Sequence, residues 1–288
     1  MHSIENDFLK VSARNFGAEL TSIFNKKSGI EHLWQADEKW WGWHAPLLFP
    51  VVGRCLNDKI KVADKFYAME KHGFARKSNF ELVEKNDASM VFSLRSTEQT
   101  LAIFPFEFEL TIKYELQQNA LLQTFVVLNK SSENMLFSLG AHPAFAVPFS
   151  ANESFNDYYI QFENEEKLTR KHISADGYFD GRETVVSTNG KVELFPSLFN
   201  DDALIFKDHS SRSVCIKSKM HQHELSVSFD RFPYLGIWTK PGAPYVCIEP
   251  WFGCSDTADK PTDFAEKEGV LVLEPNANFQ AMLRIVAK

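Results

Sequence analysis

Phe106-Glu107-Phe108-Glu109-Leu110-Thr111-Ile112-Lys113-Tyr114-Glu115-Leu116 carries an apolar side chain at every second position, with Glu, Thr and Lys between. Successive side chains of a strand point to opposite faces, so this period of two describes a strand with one dry and one wet face. Leu225-Ser226-Val227-Ser228-Phe229 alternates in the same way. Met90 to Leu94, Leu121 to Leu128, Tyr158 to Phe162, Val214 to Ile216, Tyr245 to Ile248, Val270 to Leu273 and Phe279 to Val286 also read as strands. Lys27-Ser28-Gly29, Gln117-Gln118-Asn119, Thr188-Asn189-Gly190 and Pro241-Gly242-Ala243-Pro244 punctuate them as turns. No segment offers a long, capped amphipathic helix. The expectation is an all-β fold, a large antiparallel sandwich.

The 288 residues lack a Gly/Ser-rich linker, a low-complexity tract or a fixed-period repeat, so residues 1–288 read as one domain. Composition agrees with the sheet: 26 Phe stand against 7 Tyr, and aromatic residues suit pleated, half-buried surfaces. The net charge of −7 comes without a concentrated basic stretch, which argues against a nucleic-acid partner. The N-terminal Met1-His2-Ser3-Ile4-Glu5-Asn6-Asp7 lacks the basic-then-apolar layout of a signal peptide, and no apolar run approaches a membrane span. Cys55, Cys215, Cys247 and Cys254 show no CxxC spacing and read as reduced thiols, which points to the cytoplasm.

Function must come from a site, not from a sandwich. Arg54 ends an apolar run after Gly53; it is either a surface arginine snorkelling over the core or a guanidinium fork for hydroxyl groups. His72 and His142 adjoin Gly73 and Pro143, residues that mark special backbone geometry, and an imidazole exchanges a proton near neutral pH. Glu249 follows the apolar Tyr245-Val246-Cys247-Ile248 and precedes Pro250-Trp251-Phe252. Burial there would raise its pKa toward a general base's range; the alternative is a strand-end carboxylate in water. Asp202 opens Asp202-Ala203-Leu204-Ile205-Phe206 and, taken alone, is ordinary turn chemistry. His221-Gln222-His223 puts two imidazoles on one strand face without an identifiable third ligand, so no metal site is expected. Trp40-Trp41-Gly42-Trp43 reads equally as core or as a sugar-stacking platform. No Walker motif, GxSxG, HExxH or GxGxxG occurs.

In their order along the chain these segments resemble the aldose 1-epimerase (galactose mutarotase) family, in its LacX-like branch. The resemblance rests on an N-terminal strand Gly17-Ala18-Glu19-Leu20, then Phe49-Pro50-Val51-Val52-Gly53-Arg54, His72-Gly73-Phe74-Ala75-Arg76, Gly140-Ala141-His142-Pro143-Ala144-Phe145, Asp202-Ala203-Leu204-Ile205-Phe206 and Ile248-Glu249-Pro250-Trp251. It implies a galactose-mutarotase-like supersandwich of large antiparallel sheets, with the active site in an open cleft on one sheet. It also implies Glu249 as catalytic base, His142 as catalytic acid, His72 near the sugar ring, and Arg54 and Asp202 holding sugar hydroxyls. Two stretches depart from the galactose enzymes. Arg54-Cys55-Leu56-Asn57-Asp58-Lys59 lacks the Asn-Arg pair just beyond the Gly-Arg step, and Ala141-His142-Pro143-Ala144-Phe145-Ala146 replaces Asn-His-x-x-Phe-Asn. Sugar specificity is therefore expected to differ.

The expected activity is interconversion of the α and β anomers of an aldose, without cofactor, by acid/base ring opening and closing. A carboxylate and an imidazole should then face opposite ends of one bound pyranose. The expected partner is a small sugar, with the chain a monomer or homodimer. Three other readings use the same residues. A hexose-6-phosphate mutarotase would add cations, for which Arg54, Lys71 and Arg76 are available. A non-catalytic carbohydrate-binding or sensing sandwich would not need an acid/base pair. A two-carboxylate glycoside hydrolase built on Asp202 and Glu249 leaves the histidines unexplained.

Overall fold

The computed structural model describes residues 1–259 and 263–288. The alternating stretch is a strand, Phe108–Gln117, whose residues are buried at every second position. It begins two residues later than the pattern implied: Pro105 precedes Phe106, and the Phe106 N–H donates to the Phe104 carbonyl within a turn. Its partners are Ala120–Asn129 and Ser89–Arg95, both antiparallel.

These strands lie in a nine-stranded sheet. Its order is Lys191–Glu193, Tyr158–Phe162, Ser213–Ser218, Glu224–Ser228, Asn278–Ala287, Ala120–Asn129, Phe108–Gln117, Ser89–Arg95 and Glu81–Lys85. A second, eight-stranded sheet runs Phe179–Ser187, Leu168–Ile173, Leu204–Lys207, Tyr234–Trp238, Tyr245–Phe252, Leu139–Ala141 and Leu47–Leu48, with Ala144–Ala146 also on Tyr245–Phe252. Both sheets send their apolar faces into one core. Phe162 meets Phe206 edge-on at 5.6 Å between ring centroids, and Phe252 meets Phe279 at 5.0 Å, each pair spanning the two sheets. A four-stranded sheet from the first 31 residues packs on the same core through Ile4, Val11, Leu20 and Ile23.

The structure corrects one expected element. Gly17-Ala18-Glu19-Leu20 is a turn leading into the strand Leu20–Asn25, because Gly17 and Ala18 both adopt positive φ. Glu19 is fully buried there and accepts from the backbone N–H groups of His44 and Ala45, with Arg14 paired to its carboxylate.

Candidate functional site

Tyr245–Phe252 is buried at all eight positions, which a strand achieves only when both faces are covered. Val246, Ile248 and Phe252 belong to the main core. The alternate residues Tyr245, Cys247, Glu249 and Trp251 point away from it, beneath a roof that includes Trp41 and Trp238. Glu249 thus lies inside the strand, opposite Gly236, and not at a strand end.

His142 reaches Glu249 because its own strand is broken. Leu139–Ala141 pairs with one end of Tyr245–Phe252 and Ala144–Ala146 with the other, so His142 and Pro143 fill the gap beside Glu249. The Ile248 N–H donates to the Pro143 carbonyl at 3.1 Å and fixes the crossing. His142 Nε2 then lies 3.1 Å from Glu249 Oε2. Trp41 stacks on the His142 ring at 4.9 Å and 28°, and Trp238 meets it edge-on at 5.9 Å.

His72 stands at φ 67°, followed by Gly73 at φ 68°. A Cβ on Gly73 would come within 2.3 Å of the Phe49 carbonyl oxygen, so only glycine fits the turn. The Gly53 N–H donates to His72 Nδ1 at 3.1 Å, and the His72 N–H donates to the Gly53 carbonyl at 2.9 Å. With Nδ1 accepting, the ring proton resides on Nε2. The ring sits 6.1 Å from that of His142, edge to face.

His72, His142, Asp202 and Glu249 all line one cavity of about 290 Å³, together with Lys71, Arg76, Trp41, Trp238 and Trp251. Asp202 adopts φ 70° and accepts the Ala203 N–H at 2.7 Å, while Arg170 holds the turn from behind through the Asp201 and Asp202 carbonyls. Arg76 donates to the Lys71 carbonyl at 2.7 Å and lies 5.9 Å from the centre of the Trp43 ring.

Arg54 requires a correction. Its guanidinium donates twice to Asp58, at 2.8 Å each, and once to the Asp176 carbonyl at 2.9 Å. It lies over Tyr178 and does not line the cavity. The turn through Asn57 and Asp58, both at positive φ, brings Asp58 back onto it. The arginine that does line the cavity is Arg76, last residue of the His72-Gly73-Phe74-Ala75-Arg76 stretch. His221 is committed elsewhere: Nε2 lies 3.0 Å from Glu153 and 3.2 Å from the Tyr158 hydroxyl, and Nδ1 accepts the His223 N–H. The Trp40–Trp43 cluster divides, with Trp41 on His142 and Trp43 stacked on Phe16 at 6.2 Å.

Burial governs the electrostatics. It pushes the Glu249 carboxyl well above the ordinary range, and the Asp202 charge adds to the effect. It pulls His142 down to about 3 and His72 well below its ordinary value. Each partner of the contact is thereby driven toward its uncharged form, so carboxyl and imidazole hold one proton in common.

Residues 1–272 match the family model described as aldose 1-epimerase. The chromosomal protein LacX of Lactococcus lactis subsp. lactis is 34% identical over 282 residues, 94% of each chain. A galactose mutarotase related enzyme from Lactobacillus acidophilus superimposes with a TM-score of 0.95 at 35% identity, covering 100% of this chain and 97% of that one. A galactose mutarotase-like protein from Lactobacillus casei gives 0.94 at 33% identity over the full length of both.

Proposed function

The chain belongs to the aldose 1-epimerase family, and from that premise we propose that it interconverts the α and β anomers of an aldose, with Glu249 and His142 moving the protons. The observation that carries this reading is the 3.1 Å contact between them inside a cavity of sugar size. The two side chains touch each other and do not stand at opposite ends of a ring. Touching is sufficient, because the anomeric hydroxyl and the ring oxygen are both bonded to C1, one bond angle apart.

Glu249 removes the proton from the anomeric hydroxyl while His142 delivers its Nε2 proton to the ring oxygen. The C1–ring oxygen bond breaks as the C1 carbonyl forms. After rotation about C1–C2, the freed hydroxyl adds to the other carbonyl face, His142 recovers its proton and Glu249 returns its own. The cycle starts from the tautomer in which the shared proton sits on His142 and the charge on Glu249, which the nearby Lys71 charge supports, and ring opening returns the pair to carboxyl and imidazole, the form that burial favours. No proton is lost to solvent, and no cofactor enters the cycle.

His72 offers Nε2–H, Asp202 a carboxylate, and Arg76 and Lys71 cationic donors to the remaining hydroxyls. Trp251 lies flat against the sheet: a Cβ on Gly140 or Gly236 would come within 2.7 Å and 2.6 Å of its ring. That indole supplies an apolar floor for a pyranose face. Lys71 and Arg76 on one cavity also support a second reading, in which the sugar carries a 6-phosphate.

The one-domain reading of residues 1–288 is supported by a core cluster running from Ile4 to Ala287. No helix among the described residues is long and apolar enough to cross a membrane. The free thiols of Cys55, Cys215, Cys247 and Cys254 support a cytoplasmic setting. A panel of freshly dissolved pure anomers, free and 6-phosphorylated, followed by polarimetry tests the activity and its substrate class together. Acceleration of any member supports an enzyme; sugar binding without acceleration supports the non-catalytic reading.

A further inference from the structure

Cys247 has no part in the proton transfers, yet it shares the outward face of strand Tyr245–Phe252 with Glu249. Its Sγ, one carboxylate oxygen of Glu249 and one ring nitrogen of His142 all lie within 4.8 Å of one another, and all three residues are buried. We propose that these three side chains form an inhibitory site for a soft divalent cation of the zinc type, which binds in competition with the sugar.

The donor set is one nitrogen, one sulfur and one oxygen. Tetrahedral zinc takes such ligands at about 2.0–2.3 Å and leaves a fourth position open when only three come from protein. Those bond lengths place ligand atoms roughly 3–4 Å apart, so small side-chain rotations close the site. The backbone is already tied. Ala144 is in register with Cys247, and the Ile248 N–H bonds the Pro143 carbonyl, so the histidine and the two strand ligands keep their spacing. Thiolate and carboxylate together cancel the ion's two charges, which removes the obstacle to charge in this buried place. A thiolate ligand selects zinc or cadmium over magnesium or calcium.

Binding must displace two protons, that of the Cys247 thiol and the one shared by Glu249 and His142. Only the inhibition rests on the mutarotase reading; the binding does not.

The test uses the chelator-treated full-length protein and three readouts: Zn²⁺ calorimetry, the thiolate-to-Co²⁺ charge-transfer absorption, and anomer interconversion. Expected are one Zn²⁺ per chain, the absorption band, and at least tenfold inhibition reversed by chelator or excess sugar, with Mg²⁺ inert. Cys247→Ala should keep the uninhibited rate, lose the band and weaken Zn²⁺ inhibition at least tenfold. Cys247→Ser, closer in size, provides the same comparison should the alanine variant fold poorly. Cys215→Ser, on the other sheet, should retain the band. Zinc inhibition unchanged in both Cys247 variants, or no band in the wild type, overturns the site. A Cys247-dependent band in a protein that accelerates no sugar would leave the metal site standing and remove the mutarotase reading instead.

Discussion

His142 Nε2 and Glu249 Oε2 meet at 3.1 Å because a proline interrupts a strand beside an unbroken one. Pro143 offers a carbonyl to Ile248 and no N–H, so the edge of Tyr245–Phe252 opens at the level of Glu249. The imidazole occupies that opening. Two groups that each resist charge are held together where a single proton serves both, the arrangement on which the proposed anomer interconversion rests.

The two arginines separate by function. Arg54→Gln breaks a half-exposed, solvent-screened pair with Asp58 outside the cavity and should leave kcat/KM near wild type. Arg76→Gln removes a charged donor from the cavity and should lower kcat/KM by about tenfold or more. Steady-state kinetics on the best anomer of the panel checks both.

His72→Asn divides the two jobs of that residue. The Asn oxygen can accept the Gly53 N–H in place of Nδ1, and asparagine tolerates φ 67°, so thermal stability should stay close to wild type. The Nε2–H proposed to meet the sugar is lost, and kcat/KM should fall by roughly tenfold. His72→Ala loses both jobs and should also lower the melting temperature.

Gly236→Ala would place a methyl carbon 2.6 Å from the Trp251 ring and 3.3 Å from Glu249 Cβ. The indole must lift from the sheet into the cleft. Overpacking of this kind costs about 1–3 kcal/mol, and displacing the sugar floor should reduce kcat/KM roughly 10–100-fold. Denaturant midpoints and kinetics on the same preparation separate the two effects.

The alternation in Phe106–Leu116 was enough to identify the sheet, because period-two burial is a local property. The strand set was legible for the same reason, whereas local marks such as Pro143 and the apolar run before Glu249 only singled out His142 and Glu249, and their pairing came from the family resemblance, because it joins segments distant in the chain. Arg54 was misplaced because its partner arrives through two residues at positive φ, Asn57 and Asp58, which no periodicity announces. Gly17 and Ala18 misled in the same way. Trp41 could not be assigned to core or sugar, since its place over His142 depends on a contact between distant segments. Arg76 was considered only as a phosphate ligand, although it ends the same short stretch as His72.

Stability should fall as the solution is acidified from about pH 6.5 toward 4. His32 is fully buried, has no hydrogen-bond partner among the described residues at either ring nitrogen, and is pulled down to about 4 by desolvation, with a contribution from His223. Its folded pKa lies below its unfolded one, so the unfolded chain binds the extra proton across that window. The stabilisation is full above 6.5 and lost as pH falls through 4, roughly 3 kcal/mol for this residue. His72 and His142 shift in the same direction. Glu249 has the opposite sign: its raised pKa gives stability below the unfolded carboxyl value that is lost as pH rises. Glu249→Gln should therefore melt at or above the wild-type temperature at pH 7.5. Melting curves from pH 4 to 8 check each sign.

That variant also gives the most direct test of the acid/base pair. The rate of anomer interconversion should be measured by polarimetry or proton NMR for wild type and Glu249→Gln, at equal concentration of folded protein, on the sugar the wild type accelerates most. A positioned proton transfer contributes about 10²–10⁴-fold, and the variant should lose at least that much. A rate within a few fold of wild type would contradict the role given to Glu249 and, with it, the mechanism.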